Sequence, residues 1–179
     1  MAVFLTEAER MRIISGMKLT DNLFFTKCFS ENPECVDLML RIILGRDDLK
    51  VMRASVQKWV VNLGRHSAIL DILAEDSNGD VYDIEIQNDE SEAEPKRARY
   101  YSSSIDTSLL ESGEDYRKLP ESYMIFLTDK DPIGKGKDLY RIDRMVAEPL
   151  MSFGDGLISY MRMQRMLALI RHLADLWQT

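Results

Sequence analysis

Residues 70–87 read LDILAEDSNGDVYDIEIQ, and the interpretation of this stretch decides the fold. Its first half is an apolar run interrupted by Asp71. Its second half alternates, with Tyr82, Ile84 and Ile86 at one parity and Asp83, Glu85 and Gln87 at the other. Side chains of a strand point to opposite faces with period two, so strands are expected over Ala68–Ala74 and Val81–Gln87. Asp76-Ser77-Asn78-Gly79-Asp80 lies between them and reads as a hairpin turn, because Asn-Gly readily supplies positive φ. Two carboxylates, Asp71 and Glu85, and the Gln87 amide would then converge across the hairpin.

Asp71 is the sharpest anomaly in the chain. It is flanked by Ile69, Leu70, Ile72 and Leu73, and a carboxylate in such a setting is costly to bury unless it is paired or bound to a cation. With Glu85 on the neighbouring strand it would offer two hard oxygen ligands to Mg²⁺, which takes one or two carboxylates, keeps several waters and leaves room for substrate phosphate. Such an ion activates water and stabilises a phosphorane-like transition state. The pattern is equally that of an edge hairpin whose wet face carries Asp83, Glu85 and Gln87, with Asp71 capping or pairing locally.

Outward from the hairpin, helices and strands follow in turn. Pro95 opens a helix to about Leu110, with Ala98, Tyr101, Ile105 and Leu109 as its buried stripe and Lys96, Arg97 and Arg99 in its first turns. Tyr123–Thr128 is an apolar run short enough for a buried strand, and a helix between two strands suggests a parallel crossover. Asp131–Lys137 is a Pro/Gly loop, Leu139–Val146 another strand, and Phe153-Gly154-Asp155-Gly156 a turn. From Leu157 to Trp177 the spacing predicts an amphipathic helix, in which Met161, Met163 and Met166 are packing residues. On the N-terminal side, Lys50–Val61 gives a weak strand signal. Asn32-Pro33 and Gly45 bracket a largely buried helix over Pro33–Leu44. A short helix follows the capping residues Thr20 and Asp21, and the helical spacing of residues 1–16 reads as an accessory helical extension or a partly disordered segment. The expected division is residues 1–16, a central domain over 17–157, and a C-terminal helix over 158–179.

Composition limits the function classes. At 179 residues one domain can bury roughly two thirds of the unfolded chain's surface and needs no covalent staples. Cys28 and Cys35, the two cysteines, lie in helix-like apolar sequence and read as reduced core residues. No secretory leader and no apolar run of about 20 residues is visible, which points to a soluble, cytoplasmic protein without a membrane span. The net charge of −7 argues against sequence-blind nucleic-acid binding by a broad basic footprint. Its distribution matters more: Glu75, Asp76, Asp80, Asp83, Glu85, Asp89, Glu90, Glu92 and Glu94 run without a basic residue between them, and Lys96, Arg97 and Arg99 follow at once. Asp89 to Glu94 also read as a plain solvated loop. His66 and His172 are solitary and carry no ligand pattern.

An Asp71-bearing strand, a hairpin, Glu85-Ile86-Gln87 and a helix opening with Lys96-Arg97-Ala98-Arg99-Tyr100-Tyr101 together resemble the PD-(D/E)XK nuclease superfamily, in particular its transposase-related, Rpn-like (recombination-promoting nuclease) branch. The likeness extends to Thr20-Asp21-Asn22-Leu23-Phe24-Phe25, Gly113-Glu114-Asp115-Tyr116 with Leu119-Pro120, Tyr123–Thr128 and Phe153–Gly156, covering roughly residues 17–158. The resemblance implies an α/β domain with a mixed sheet of about four or five strands flanked by helices, a restriction-endonuclease-like core. It implies a DNA endonuclease dependent on Mg²⁺ (or Mn²⁺), with Asp71 and Glu85 as metal ligands and Gln87 at the third active-site position. There the superfamily more often has lysine; an amide lacks the charge to meet a developing phosphorane and can only orient water or substrate. Arg97, with Arg99, would bind substrate phosphate through a guanidinium fork, the alternative for Arg97 being a salt bridge to the acidic loop. Tyr100 and Tyr101 read as packing residues. Asp21 matches an acid of the family's first helix and is either an outer ligand or an N-cap. A catalytically weak or inactive nuclease fold used for protein interaction, self-association as a homodimer included, is the competing expectation.

Overall fold

Pro33 at the first helical position and Gly45 in the left-handed region at φ 65° bound helix α1, Pro33–Leu44, as their chemistry predicts. Asn32 stands at its cap, although its side chain makes no capping hydrogen bond. The structure, a computed structural model, describes residues 29, 32–60, 67–87, 93–128 and 130–163. The expected helices before residue 29, Asp21, Cys28, His66, Asp89, Glu90, Glu92, Met166 and His172 lie outside these residues.

Strands β1 (Val51–Val60), β2 (Ala68–Asp76) and β3 (Val81–Gln87) form an antiparallel meander, and the Asp76–Asp80 turn is present with Gly79 at φ 87°. Helix α2 (Pro95–Leu109) then crosses to β4 (Ser122–Thr128), which pairs parallel to β3 as the crossover reading requires. Beyond β4 come β5 (Leu139–Asp143), the short ribbon of β6 (Met145–Val146) and β7 (Met151–Ser152), and β8 (Leu157–Met163). The main sheet has six strands in the order β1-β2-β3-β4-β8-β5, with β8 parallel to β4 and antiparallel to β5. This is the expected mixed α/β architecture with a wider sheet.

The extra width comes from a correction. Leu157–Met163, read as the start of an amphipathic helix, is a strand inside the sheet. Ile158 and Tyr160 join the core on the α1 side, whereas Leu157 and Met161 join clusters containing residues of α2. A strand covered on both faces carries apolar residues at both parities, so the alternation that would betray it is lost. Met161 does pack, as expected, but from a strand.

Both faces of the central strands are covered, whereas the edge strands β1 and β5 are largely exposed. On one face, Val36, Met39, Leu40 and Ile43 of α1 pack against Ile72, Ala74, Tyr82, Ile84, Tyr123, Ile125 and Leu127. On the other, Ala98 of α2 meets Phe126 and Met161, and Ile105 meets Val81 and Met124. The buried stripe of α2 runs through Ala98, Ser102 and Ile105, whereas Tyr101 is half-buried and Leu109 is exposed. Small serines let the helix lie close to the sheet and leave its larger side chains at the margin.

Candidate active site

The antiparallel ladder between β2 and β3 runs from Glu75 opposite Val81 to Ile72 opposite Ile84. One more step in that register sets Asp71 opposite Glu85, and here side chains take over from the main chain. The Asp71 amide donates to Glu85 Oε1 at 3.0 Å, and the Ile86 amide donates to Asp71 Oδ2 at 2.9 Å. Each carboxylate is thus fastened by an amide of the opposite strand. Glu85 Oε2 accepts from Arg97 Nη2 at 3.1 Å and from Gln87 Nε2 at 3.4 Å. Asp71, Glu85, Gln87 and Arg97 therefore form one connected set.

The profile of the PD-(D/E)XK nuclease family transposases matches residues 59–164, more than half of the 179-residue chain. The chain belongs to this family. No curated protein matches it in a sequence comparison. The matched span of this PD-(D/E)XK family transposase domain holds β2, β3, α2 and β4, and with them Asp71, Glu85, Gln87 and Arg97.

In this PD-(D/E)XK domain the polar face of β3 is interior, and the reading of it as the wet face of an edge hairpin is corrected. β3 lies between β2 and β4, and its odd-numbered residues face the α2 side. Asp83 and Glu85 are fully buried and Gln87 is nearly so, while Asp71 at the opening of the ladder is half-buried. Sequence reasoning missed Asp83 as a member of the site. Its parity with Glu85 was visible, but the burial that makes it consequential comes from β4 and α2, both distant in sequence. Neither oxygen of Asp83 has a hydrogen-bond partner among the described residues.

The electrostatics follow from this crowding. Burial, then the charges of Glu85 and Asp71, push Asp83 well above the usual carboxylate range against the pull of Arg97. Burial and the Asp71 charge push Glu85 up to about 7, opposed by the Asp71 amide and Arg97. Burial also raises Asp71, opposed by the Ile86 amide and by Arg97. Three acids thus share one guanidinium, and like charges in a dry site resist joint ionisation.

A divalent cation fits this donor set. Asp71 and Glu85 present hard oxygens, and on the same face neither Asp83 oxygen meets a hydrogen-bond donor among the described residues. Among the described residues no three His, Cys, Asp or Glu side chains are grouped as a ready-made metal cage, and an ion held by two carboxylates with retained waters is the arrangement Mg²⁺ favours.

The basic residues separate. Arg97, half-buried in the first turn of α2, pairs with Glu85, and its guanidinium lies 5.1 Å from the centroid of the Tyr101 ring. Lys96 and Arg99 are exposed beside it. Among the described residues no helix is long and apolar enough to cross a membrane.

Proposed function

We propose that this domain is a magnesium-dependent DNA endonuclease that hydrolyses phosphodiester bonds, in a transposition- or recombination-related setting. The observation that carries the reading is the reciprocal fastening of Asp71 and Glu85 across the open end of the β2–β3 ladder, with Arg97 on the remaining Glu85 oxygen. Asp71 and Glu85 would hold Mg²⁺ or Mn²⁺. When bound, the ion would supply an activated water and offset charge on the phosphorane-like transition state.

The chain's own residues do the rest. The Asp71 and Ile86 amides fix both carboxylates, so their oxygens are oriented before substrate arrives. Gln87, nearly buried beside Glu85, orients water by hydrogen bonding and adds no charge. Arg97 binds a phosphate oxygen: its guanidinium has five N–H donors, so contact with Glu85 leaves others to offer. Arg99, exposed on the next residue but one, extends the phosphate contact. Plasmid nicking tests the proposal. It is expected to require Mg²⁺ and to vanish in Asp71→Ala; cleavage that persists in the variant or in chelator overturns it.

A further inference from the structure

The loop between β4 and β5 leaves the sheet beside the site. β3 and β4 run parallel with Gln87 in register with Thr128, so residues 130–137 begin at the end of the sheet where Gln87 stands. They read KDPIGKGK. The loop is closed on itself. The Asp131 carboxylate accepts from the amides of Ile133, Gly134 and Gly136 at 3.0, 2.9 and 2.7 Å and from the Tyr140 hydroxyl at 2.8 Å. That hydroxyl accepts in turn from the amides of Lys135 and Lys137, each at 3.1 Å. Five successive amides therefore turn inward, a backbone path that Gly134 and Gly136 permit at φ 71° and 75°. Burial of Asp131 works against its charge, but these donors outweigh it and bring its pKa down to about 2. The acceptor at the centre of the loop is thus ionised at any ordinary pH.

Two consequences follow for the surface. With its amides consumed, the loop offers Lys135 and Lys137, both exposed and neither in an ion pair among the described residues. Its root is shared with α2, because Tyr140 packs against the cluster of Ala93, Ala98, Phe126 and Met161. Ala98 stands between Arg97 and Arg99. One apolar cluster therefore supports two basic segments, Lys96 to Arg99 on the helix and Lys135 with Lys137 on the loop, in a chain whose net charge is −7.

We propose that Lys135 and Lys137 are a preformed contact to the phosphate backbone of duplex DNA, held rigid by Asp131 and Tyr140 and flanking the carboxylate site. The inference rests on the reading of the site as a DNA endonuclease. Lysine suits the role, since a compact charge on a flexible stem meets phosphates without demanding base identity. Rigidity of the loop backbone lowers the ordering cost of that contact.

Binding of a fluorescent duplex, measured by anisotropy across a salt series with Ca²⁺ in place of Mg²⁺, tests it, with plasmid nicking by the unaltered protein measured in parallel. The double variant Lys135→Ala/Lys137→Ala is expected to bind more weakly and to lower the slope of log K against log salt by about 1.8, as loss of two phosphate contacts requires. Asp131→Ala removes a negative charge, so charge alone would tighten binding; a preformed loop predicts weaker binding instead. An unchanged slope in the double variant, or tighter binding by Asp131→Ala, overturns the inference while nicking leaves the nuclease reading standing. Absence of both nicking and duplex binding in the unaltered protein overturns the two together.

Discussion

The Asp71 amide donates to the Glu85 carboxylate across 3.0 Å at the point where main-chain pairing of β2 and β3 stops. Asp71 answers through its own carboxylate, which accepts from the residue after Glu85. The two acids are therefore clasps between strands as well as candidate ligands, and substitutions must separate these roles.

Asp71→Asn keeps an acceptor oxygen for the Ile86 amide and removes the charge. It is expected to hold its melting temperature and lose nicking activity by about 10²-fold or more. Asp71→Ala strips the amide of its partner as well, with a stability loss of about 1–3 kcal/mol. Thermal melts and nicking assays on the pair check this; an active Asp71→Asn variant would count against a metal-ligand role.

The acids also predict a pH dependence. Asp71, Asp83 and Glu85 all have folded pKa values above their ordinary ones, so the folded chain binds more protons than the unfolded chain. Their stabilising contribution is complete below the unfolded value and is lost as pH rises through the folded value, which for Glu85 means from 4.5 to about 7. For Glu85 the loss is on the order of 3 kcal/mol. In chelator, the melting temperature is expected to fall between about pH 5 and pH 8, and Asp83→Asn or Glu85→Gln is expected to flatten the fall. Added Mg²⁺ should raise the melting temperature more at the higher pH, because its ligands must be deprotonated. A pH-independent melt shared by the native chain and both variants would refute this account.

Arg97 is the one cation paired with this acidic set among the described residues. Arg97→Ala is expected to move the acidic limb of the pH–rate profile upward, because the Glu85 carboxylate loses a charge that lowers its pKa. Weaker substrate binding should accompany it. Arg97→Lys restores a charge but not the planar fork, so it should return the limb toward its original position while recovering substrate affinity only in part. A profile unmoved by Arg97→Ala would show that the pair has no hold on the site.

Stability of the hairpin rests on Asp76. Nearly fully buried, it accepts from the amides of Asn78 and Asp80 at 2.8 and 3.1 Å and from the Tyr82 hydroxyl at 2.9 Å. The Tyr82 ring stacks on that of Tyr123 with centroids 4.7 Å apart, which ties the turn to β4. Asp76→Ala leaves several donors without an acceptor and is expected to destabilise the fold by about 2–4 kcal/mol in denaturant unfolding. A change below about 0.5 kcal/mol, the range of an ordinary surface substitution, would contradict this.

Local chemistry was legible without a structure. Asn78-Gly79 placed the turn, Pro33 and Gly45 bounded α1, Pro95 opened α2, and the Asp71, Glu85 and Gln87 spacing put three polar groups on one face. Each of these depends on backbone preferences or side-chain parity within a few residues. β8 escaped because a strand buried on both faces looks, in one dimension, like any apolar segment. The helix stripe holds at Ala98, Tyr101 and Ile105 but fails at Leu109, which is exposed, because periodicity gives the direction of a face but not how far the neighbouring sheet extends beneath it.

What the sequence determined by itself was the hairpin, its turn and the identity of the acids upon it. What only the tertiary structure decided was their environment. β4 and α2, brought together by the parallel crossover, close over β3, remove water from Asp83 and Glu85, and pair Glu85 with Arg97. Desolvation and charge balance depend on every group that surrounds a side chain, whatever its distance along the chain, so the chemical state of this site is a property of the fold.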